Sequence, residues 1–333
     1  MFSWSIKEIE LPLKFTWNIS RNSSDIKRNF IVEVRNGSLK AHGEVAFNVR
    51  YGESRDLILE KFEEFKAAAP QEFTGVESLV AFLESLDLPQ SLKFGIESSF
   101  VHYISILSGK SVALLMGTNV VSSVKTSFSI PIMEVGRVEA FINDNNLKRF
   151  SVLKVKVNRE NAHDFCQEVL RLTNVPLRVD ANESFESAAE TLKFLENFSN
   201  ISRLEFLEQP LHSSFHDEAL ELKKHSKVFL MADESVTKEE INEYYPERFH
   251  GINVKMMKAG GYMKAVKQLR QAKILGLKTM LGCMIETSLG ISSALNISGG
   301  VDFFDLDGCL LIKEDPYKLI SEENGKIFYS YIQ

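Results

Sequence analysis

Two lysines at alternate positions, Lys154 and Lys156, interrupt the apolar, β-branched run Val152-Leu153-Lys154-Val155-Lys156-Val157. In a strand the pleat turns both ammonium groups to one face. Lysines are rarely buried without a partner. Like charges crowded at a strand end oppose each other's protonation, so the pair predicts one lysine with a lowered pKa, usable as a base near neutral pH. An exposed edge strand guarded by lysines against aggregation would show the same pattern. Downstream, Asp180, Glu208, Asp233 and Lys255 each close a short apolar run, followed by Cys283-Met284 with Glu286 and by Asp305 with Asp307. Any single Asp after a strand is a candidate helix N-cap. Three carboxylates converging on one point, however, repel each other unless a cation lies between them. Oxygen donors without an accompanying histidine or cysteine favour Mg²⁺ over Zn²⁺.

The elements that must position these residues follow from the hydrophobic pattern. The first 49 residues read as strands, with Asn36-Gly37-Ser38 as a hairpin turn between Phe30–Val34 and Leu39–Val45, and with a polar loop over 20–25. From Arg55 to about Leu115 the period is helical, Leu59, Phe62 and Phe65 forming one stripe. This predicts an α+β domain over 1–120. From 121 to 315, strands at 127–132, 151–157, 177–180, 204–208, 228–233, 251–255, 278–281 and 301–305 alternate with amphipathic helices at βα spacing, which predicts a (β/α)₈-type barrel. No glycine-rich dinucleotide fingerprint follows any strand, against an open doubly wound sheet. Residues 316–333 are expected to pack back on the N-terminal domain. In a barrel the chemistry lies at the C-terminal strand ends, and strand two faces strand six across the mouth. Lys156 and Lys255 would then flank a substrate carboxylate held on Mg²⁺, one on each face of its α-carbon. Such a pair removes a proton from one face and returns one to the other, the metal offsetting the charge of an enediolate.

Composition narrows the class further. With 333 residues, 44% hydrophobic and 25% charged, the chain has the make-up of an ordinary globular protein. A net charge of −6 without a dominant basic run argues against nucleic acid as the main partner. Three widely spaced cysteines, Cys166, Cys283 and Cys309, suit a reducing cytoplasm. No leader and no run of membrane-spanning length is found, so the chain is expected to be cytoplasmic, complete at its N-terminus and without a membrane partner.

The motifs Lys154-Val155-Lys156, Val179-Asp180-Ala181-Asn182, Glu208-Gln209-Pro210, Asp233-Glu234-Ser235 and Asn253-Val254-Lys255 together resemble the muconate-lactonizing-enzyme subgroup of the enolase superfamily. Within it, Lys255-Met256-Met257-Lys258-Ala259-Gly260-Gly261, Met284-Ile285-Glu286-Thr287 and Asp305-Leu306-Asp307 are similar to the dipeptide epimerases. The resemblance implies a barrel beneath an N-terminal capping domain, Mg²⁺ on Asp180, Glu208 and Asp233, and Lys156 and Lys255 as the two bases. Lys154 would assist Lys156 and help hold the substrate carboxylate. Asp305 and Asp307 would hold the free α-ammonium of a dipeptide, as an acidic pair selects a cationic amine. Ser129 matches a substrate-binding hydroxyl position, although a serine there also serves a strand. Cys283 and Met284 would line the substrate site, Cys283 as a small packing residue rather than a nucleophile. Lys258 either neutralises the site edge or lies on the surface, and His212 and His216 are read as surface residues. The implied activity is epimerisation at the C-terminal residue of a dipeptide by an isomerase, with self-association left open. An o-succinylbenzoate synthase would use the same carboxylates and lysines but has no need of the acidic pair, and a barrel that only binds would not need both lysines. Where Ala-Glu epimerases of the family place an arginine in the first capping loop, this chain has Ser24, with Arg21 slightly earlier.

Overall fold

The computed structural model describes residues 1–19, 22–119 and 121–329. β1 (Ser3–Ile19), β2 (Asn22–Asn36) and β3 (Leu39–Val45) form an antiparallel sheet in sequence order. Its second hairpin turns where expected, with Gly37 at φ +62°, a conformation open to glycine without a steric cost. The expected polar loop is instead largely ladder. Ser24 pairs with Trp17 and Ser23 with Asn18, while Thr16 Oγ1 donates to Asp25 Oδ1 at 2.6 Å, so polar residues satisfy one another across the strand pair. Arg21 lies outside the described residues.

Four helices complete the cap: α1 (Arg55–Ala68), α2 (Val76–Glu84), α3 (Gln90–Ser108) and α4 (Val112–Leu115). Ser54 accepts the Leu57 N–H and starts α1, whose buried stripe is Ile58, Phe62 and Phe65. Leu59, expected on that stripe, is only half-buried, because a helix face repeats at i+4 and i+7 from Ile58. α3 crosses β3 where Gly43 meets Gly95, and a side chain on Gly43 would collide with the Gly95 carbonyl oxygen.

After β4 (Ser123–Lys125), eight parallel strands follow in sequence order: β5 (Phe128–Ile130), β6 (Leu153–Lys156), β7 (Leu177–Asp180), β8 (Leu204–Glu208), β9 (Leu230–Ala232), β10 (Gly251–Lys255), β11 (Lys278–Gly282) and β12 (Phe303–Asp305). Every strand read from the sequence is present. The sheet closes where the Ser127 N–H donates to the Phe304 carbonyl at 3.3 Å. Between the strands run α5 (Val138–Asp144), α6 (Ala162–Leu172), α7 (Ala188–Glu196), α8 (His216–His225), α9 (Tyr244–Arg248), α10 (Met256–Ala259), α11 (Tyr262–Ile274) and α12 (Ser288–Leu295). The barrel floor is apolar, made by Phe206, Met231 and Met280. Arg178 lies among them, its guanidinium 5.2 and 5.3 Å from the Phe206 and Phe303 ring centres and its Nη1 donating to the Phe304 carbonyl at 2.6 Å. With that end plugged, the polar inward-facing residues collect at the other.

The cap is fastened to the barrel by buried polar contacts. The Glu44 carboxylate, on β3, accepts the Thr287 N–H, the Thr287 hydroxyl at 2.6 Å and the Gly290 N–H at 3.1 Å, which serves the N-terminus of α12. Asn29 donates both to Glu44 at 2.8 Å and to the Ile285 carbonyl at 3.0 Å. Of the C-terminal segment, only part lies against the cap. Ile312, just before it, bridges Leu13, and Tyr317 packs its ring on His42, whereas β14 (Lys326–Tyr329) pairs with β4 on one side and with β13 (Ile320–Glu323) on the other. The edge of β4 offers unpaired backbone groups there, and Arg149 grips Glu322 at 2.8 Å.

His102, on α3, has Nδ1 at 2.7 Å from the His42 carbonyl and Nε2 at 2.9 Å from the Tyr262 hydroxyl of the barrel. A carbonyl only accepts, so Nδ1 carries the proton and Nε2 receives the phenol. Burial pushes the imidazole pKa down to about 4. A depressed folded-state pKa stabilises the chain above the unfolded value near 6.5, and that contribution is lost as pH falls through about 4. Thermal unfolding midpoints followed from pH 7 to pH 4 should therefore fall less steeply for His102→Gln than for the parent, with a loss of about 1 kcal/mol at pH 7 from the altered hydrogen bonds. Parallel curves would exclude the neutral bridging role.

Candidate active site

Strand register sets the site. Lys156, Asp180 and Glu208 are direct neighbours across β6, β7 and β8, and Lys255, Gly282 and Asp305 are neighbours across β10, β11 and β12. Asp180, Glu208 and Asp233 are buried and each brings an oxygen within 4.8 Å of the others. Among the described residues they are the one group of acidic, cysteine or histidine side chains so placed to hold a metal ion. The Asn253 amide takes Glu208 Oε1 at 2.9 Å, and Gly282 makes room for it, since a Cβ there would lie 2.5 Å from the Asn253 Oδ1. Glu208 Oε2 is buried and accepts no well-directed hydrogen bond, although the Lys154 ammonium is 2.8 Å away. Burial, with Asp180 and Asp233 close by, pushes the Glu208 carboxyl above its ordinary range despite Lys154. A buried carboxylate oxygen without a directed hydrogen bond, in an all-carboxylate set, fits a hard divalent cation.

The two expected bases stand at opposite ends of this triad. Lys156 Nζ is 2.7 Å from Asp180 Oδ2 and 3.3 Å from Asn182 Oδ1, with the Trp17 ring centre 6.0 Å away. Lys255 Nζ is 2.9 Å from Asp233 Oδ2. Lys154 lies inside the barrel, 3.0 Å from Asp180, 2.8 Å from Glu208 and 2.8 Å from Asp305. Of the pair expected to hold one lysine with a lowered pKa, Lys154 is not that one, and Lys255 across the mouth is likewise raised. Burial works against their charge, but carboxylates outweigh it and raise both: Asp180, Asp305 and Glu208 for Lys154, and Asp233 for Lys255. Asp180 and Asp233 are correspondingly held below the ordinary carboxylate range, burial notwithstanding.

Of the two places expected for Lys258, the surface is excluded and the neutralising one is found. Lys258 is buried on the single turn of α10, and its ammonium reaches Asp233 Oδ1 at 2.6 Å and the Asp233 carbonyl. Asp233 thus gives one oxygen to each of two lysines.

The acidic pair on and after β12 is already engaged. Asp305 accepts Lys154 at 2.8 Å and the Ser127 hydroxyl at 2.7 Å, while Asp307 Oδ2 accepts the Ser129 N–H at 2.6 Å. Burial and the neighbouring Asp305 push the Asp307 carboxyl up to about 7. Cys283 donates to the Asp305 carbonyl at 3.2 Å, and burial raises its thiol, as suits a packing residue. Met284 lies beneath the cap, its sulfur 3.8 Å from the Asn48 amide, and its N–H donates to Glu286 at 2.7 Å. His212 and His216 are exposed. Sequence reading gave no role to Asn253, Asn182 or Ser127. Asn253 was open to discovery, because it precedes Lys255 by two on one strand and so shares its inward face.

An α+β cap over a barrel that gathers three acidic strand ends between two lysines is the arrangement of the enolase superfamily. The model of the enolase C-terminal domain-like family matches residues 137–304. Over 314 residues the chain is 32% identical to the L-Ala-D/L-amino acid epimerase of Maribacter sp. (strain HTCC2170 / KCCM 42371), covering 93% of this chain and 91% of that protein. The fold matches the substrate-liganded L-Ala-D/L-Glu epimerase of Bacillus subtilis with a TM-score of 0.89 at 23% identity, covering 98% and 96% of the two chains. It also matches the dipeptide epimerase of Enterococcus faecalis V583 complexed with Mg and L-Leu-L-Tyr, with a TM-score of 0.86 at 20% identity, covering 98% and 96%. The chain therefore belongs to the enolase C-terminal domain-like family, and it is an enzyme of the isomerase class, like its curated relatives.

Glu208→Gln replaces one carboxylate of the triad by a neutral amide. Titration calorimetry with divalent cations should show affinity reduced by about tenfold or more relative to the parent. Equal affinity would remove Glu208 from the ligand set.

Proposed function

We propose that the chain is a Mg²⁺-dependent dipeptide epimerase that inverts the α-carbon of the C-terminal residue by proton transfer between two lysines. The observation that carries this reading is the placement of Lys156 and Lys255 at opposite ends of the Asp180, Glu208 and Asp233 triad. When bound there, a divalent cation neutralises the charge that proton loss develops on the substrate carboxylate. Lys156 takes or returns the α-proton on one face and Lys255 on the other. The carboxylate that holds Lys255 protonated is one that a cation would neutralise, so its strength as a base is linked to occupation of the triad. Asp307, with Asp305 behind it on Lys154, is the group offered to the substrate α-ammonium, and Ser129 orients it. The names of the relatives support a dipeptide, and the Enterococcus neighbour holds both Mg and one. The unpaired Cys166, Cys283 and Cys309 suit a cytoplasmic location, and no helix among the described residues is long and apolar enough to cross a membrane.

Each lysine variant should keep half of the chemistry. In deuterated solvent, Lys156→Ala should exchange the α-proton of one epimer only and Lys255→Ala that of the other, while neither epimerises, as read by NMR loss of the α-proton signal. Both variants exchanging the same epimer, or one still epimerising, would refute the two-base arrangement.

Recognition of the amine is tested separately. Asp307→Asn should raise KM by roughly tenfold or more, the loss expected for a hydrogen bond to a charged group. The N-acetylated dipeptide should be a poor substrate of the parent enzyme. Equal rates with free and acetylated substrates would favour an o-succinylbenzoate synthase type of lyase instead.

A further inference from the structure

One oxygen of every carboxylate in the triad is taken by a donor fixed in the fold. Asp180 Oδ1 accepts the Asn182 N–H at 3.0 Å, Glu208 Oε1 accepts the Asn253 amide at 2.9 Å, and Asp233 Oδ1 accepts the Lys258 ammonium at 2.6 Å. The second oxygen of each faces a lysine of the mouth or the barrel interior. Asp180 Oδ2 meets Lys156 at 2.7 Å and Lys154 at 3.0 Å, Glu208 Oε2 meets Lys154 at 2.8 Å, and Asp233 Oδ2 meets Lys255 at 2.9 Å. The same division thus recurs at three neighbouring strand ends.

The three fixed donors are held in different ways. Asn182 follows Asp180 by two residues with its backbone at φ +42°, so carboxylate and N–H close a turn of their own. Asn253 stands buried on β10 beside Gly282, where a side chain on the neighbouring strand would push into its amide. Lys258 is the unusual one, an ammonium where the other two are neutral. Its side chain is 1% exposed, against 10% for Lys255, the other lysine on Asp233. Besides Asp233 Oδ1 it reaches the Asp233 carbonyl, with the Asn253 carbonyl 3.5 Å away. Its three N–H donors thus have three oxygens of the fold to face, whereas Lys255 stands nearer the open mouth.

We propose that Lys258 is the positioning residue that holds Asp233 to ligation through one oxygen, as Asn253 does for Glu208, and that the triad thereby discriminates against Ca²⁺ in favour of a smaller ion such as Mg²⁺. This rests on the reading of the triad as a divalent-cation site. Donors behind a ligand orient it and tune what it binds. Ca²⁺ gathers about six to eight oxygens in loose geometry and readily takes both oxygens of one carboxylate, whereas Mg²⁺ requires a near-octahedral shell of about six. A carboxylate whose far oxygen is bound to a buried ammonium has only the near one to give. Turning Asp233 to present both would take a partner from Lys258 and leave its charge poorly compensated. The same turn at Glu208 would break the Asn253 hydrogen bond. That cost falls on the ion that asks for the second oxygen.

Titration calorimetry of the metal-free protein with Mg²⁺ and with Ca²⁺ reads the ratio of the two affinities, the fold of each variant being checked by circular dichroism. Lys258→Met, which keeps the length of the side chain and removes the ammonium, should raise the Ca²⁺-to-Mg²⁺ affinity ratio by about tenfold. Asn253→Leu should move the ratio in the same direction. A role limited to packing or to cancelling charge would shift both affinities together and leave the ratio alone. An unchanged ratio in Lys258→Met overturns the role of Lys258, and an unchanged ratio in Asn253→Leu overturns that of Asn253. Should the variants fail to fold, infrared difference spectra of the parent decide. Its antisymmetric carboxylate stretch should keep the frequency of one-oxygen ligation with Ca²⁺ as with Mg²⁺, and a fall to that of two-oxygen ligation with Ca²⁺ overturns the proposal. A parent that prefers Ca²⁺ overturns it too. A parent that binds neither ion overturns the divalent-cation reading itself, which separates the two failures.

Discussion

Everything at the mouth of this barrel depends on how charge is buried there. Lys154, 1% exposed, touches Asp180, Glu208 and Asp305 at once, from three different strands. Carboxylates in such number are costly to desolvate, and only close opposite charge and well-directed donors make the arrangement tolerable. Lys156, Lys255 and Lys258 extend the same compensation outward, one to Asp180 and two to Asp233. Stripping one member from such a cluster leaves its partner uncompensated, at about 3–5 kcal/mol in buried pairs. The strands thus align their ends for the sake of chemistry and are held in that alignment by the same charges.

That interdependence explains which parts of the molecule could be read from sequence. The eight barrel strands were legible because each is a short apolar run bounded by polar residues, and a residue at the end of such a run must lie at the rim. Lys154, Lys156 and Lys255 were legible for the same reason. Lys258 was left between two alternatives, since its contact with Asp233 arises from one turn of helix that starts only after β10, and spacing alone does not say which way that turn faces. The raised pKa of Lys154 and Lys255 was not legible, because sequence shows only their charge neighbours in the chain, while the structure adds carboxylates from other strands at about 3 Å, where Coulomb attraction prevails. Arg50 pairs with Glu183, a contact between different parts of the fold that lies beyond the reach of any local pattern.

The cap and barrel share the site rather than merely adjoin. Glu44 lends its carboxylate to the start of α12, Asn48 meets Met284, and Trp17 overhangs Lys156. A change at Glu44, Asn48 or Trp17 in the cap therefore reaches the barrel groups that each one touches.

The bridge between Leu13 and Ile312, flanked by the Lys14 N–H to Leu311 bond at 2.9 Å and the Lys313 N–H to Pro12 bond at 2.8 Å, has a consequence for synthesis. The ribosome delivers the β1 and β2 ribbon before the barrel, yet one of the segments that seat it emerges only after all eight barrel strands. Until then the ribbon exposes the apolar face of Leu11 and Leu13, which later meets Ile312. Chain growth therefore imposes an order: the barrel is nearly all made before the roof over its mouth is locked. A nascent chain released early would carry an unsheltered edge strand, the kind of surface that holdase chaperones cover and that pairs wrongly with its neighbours.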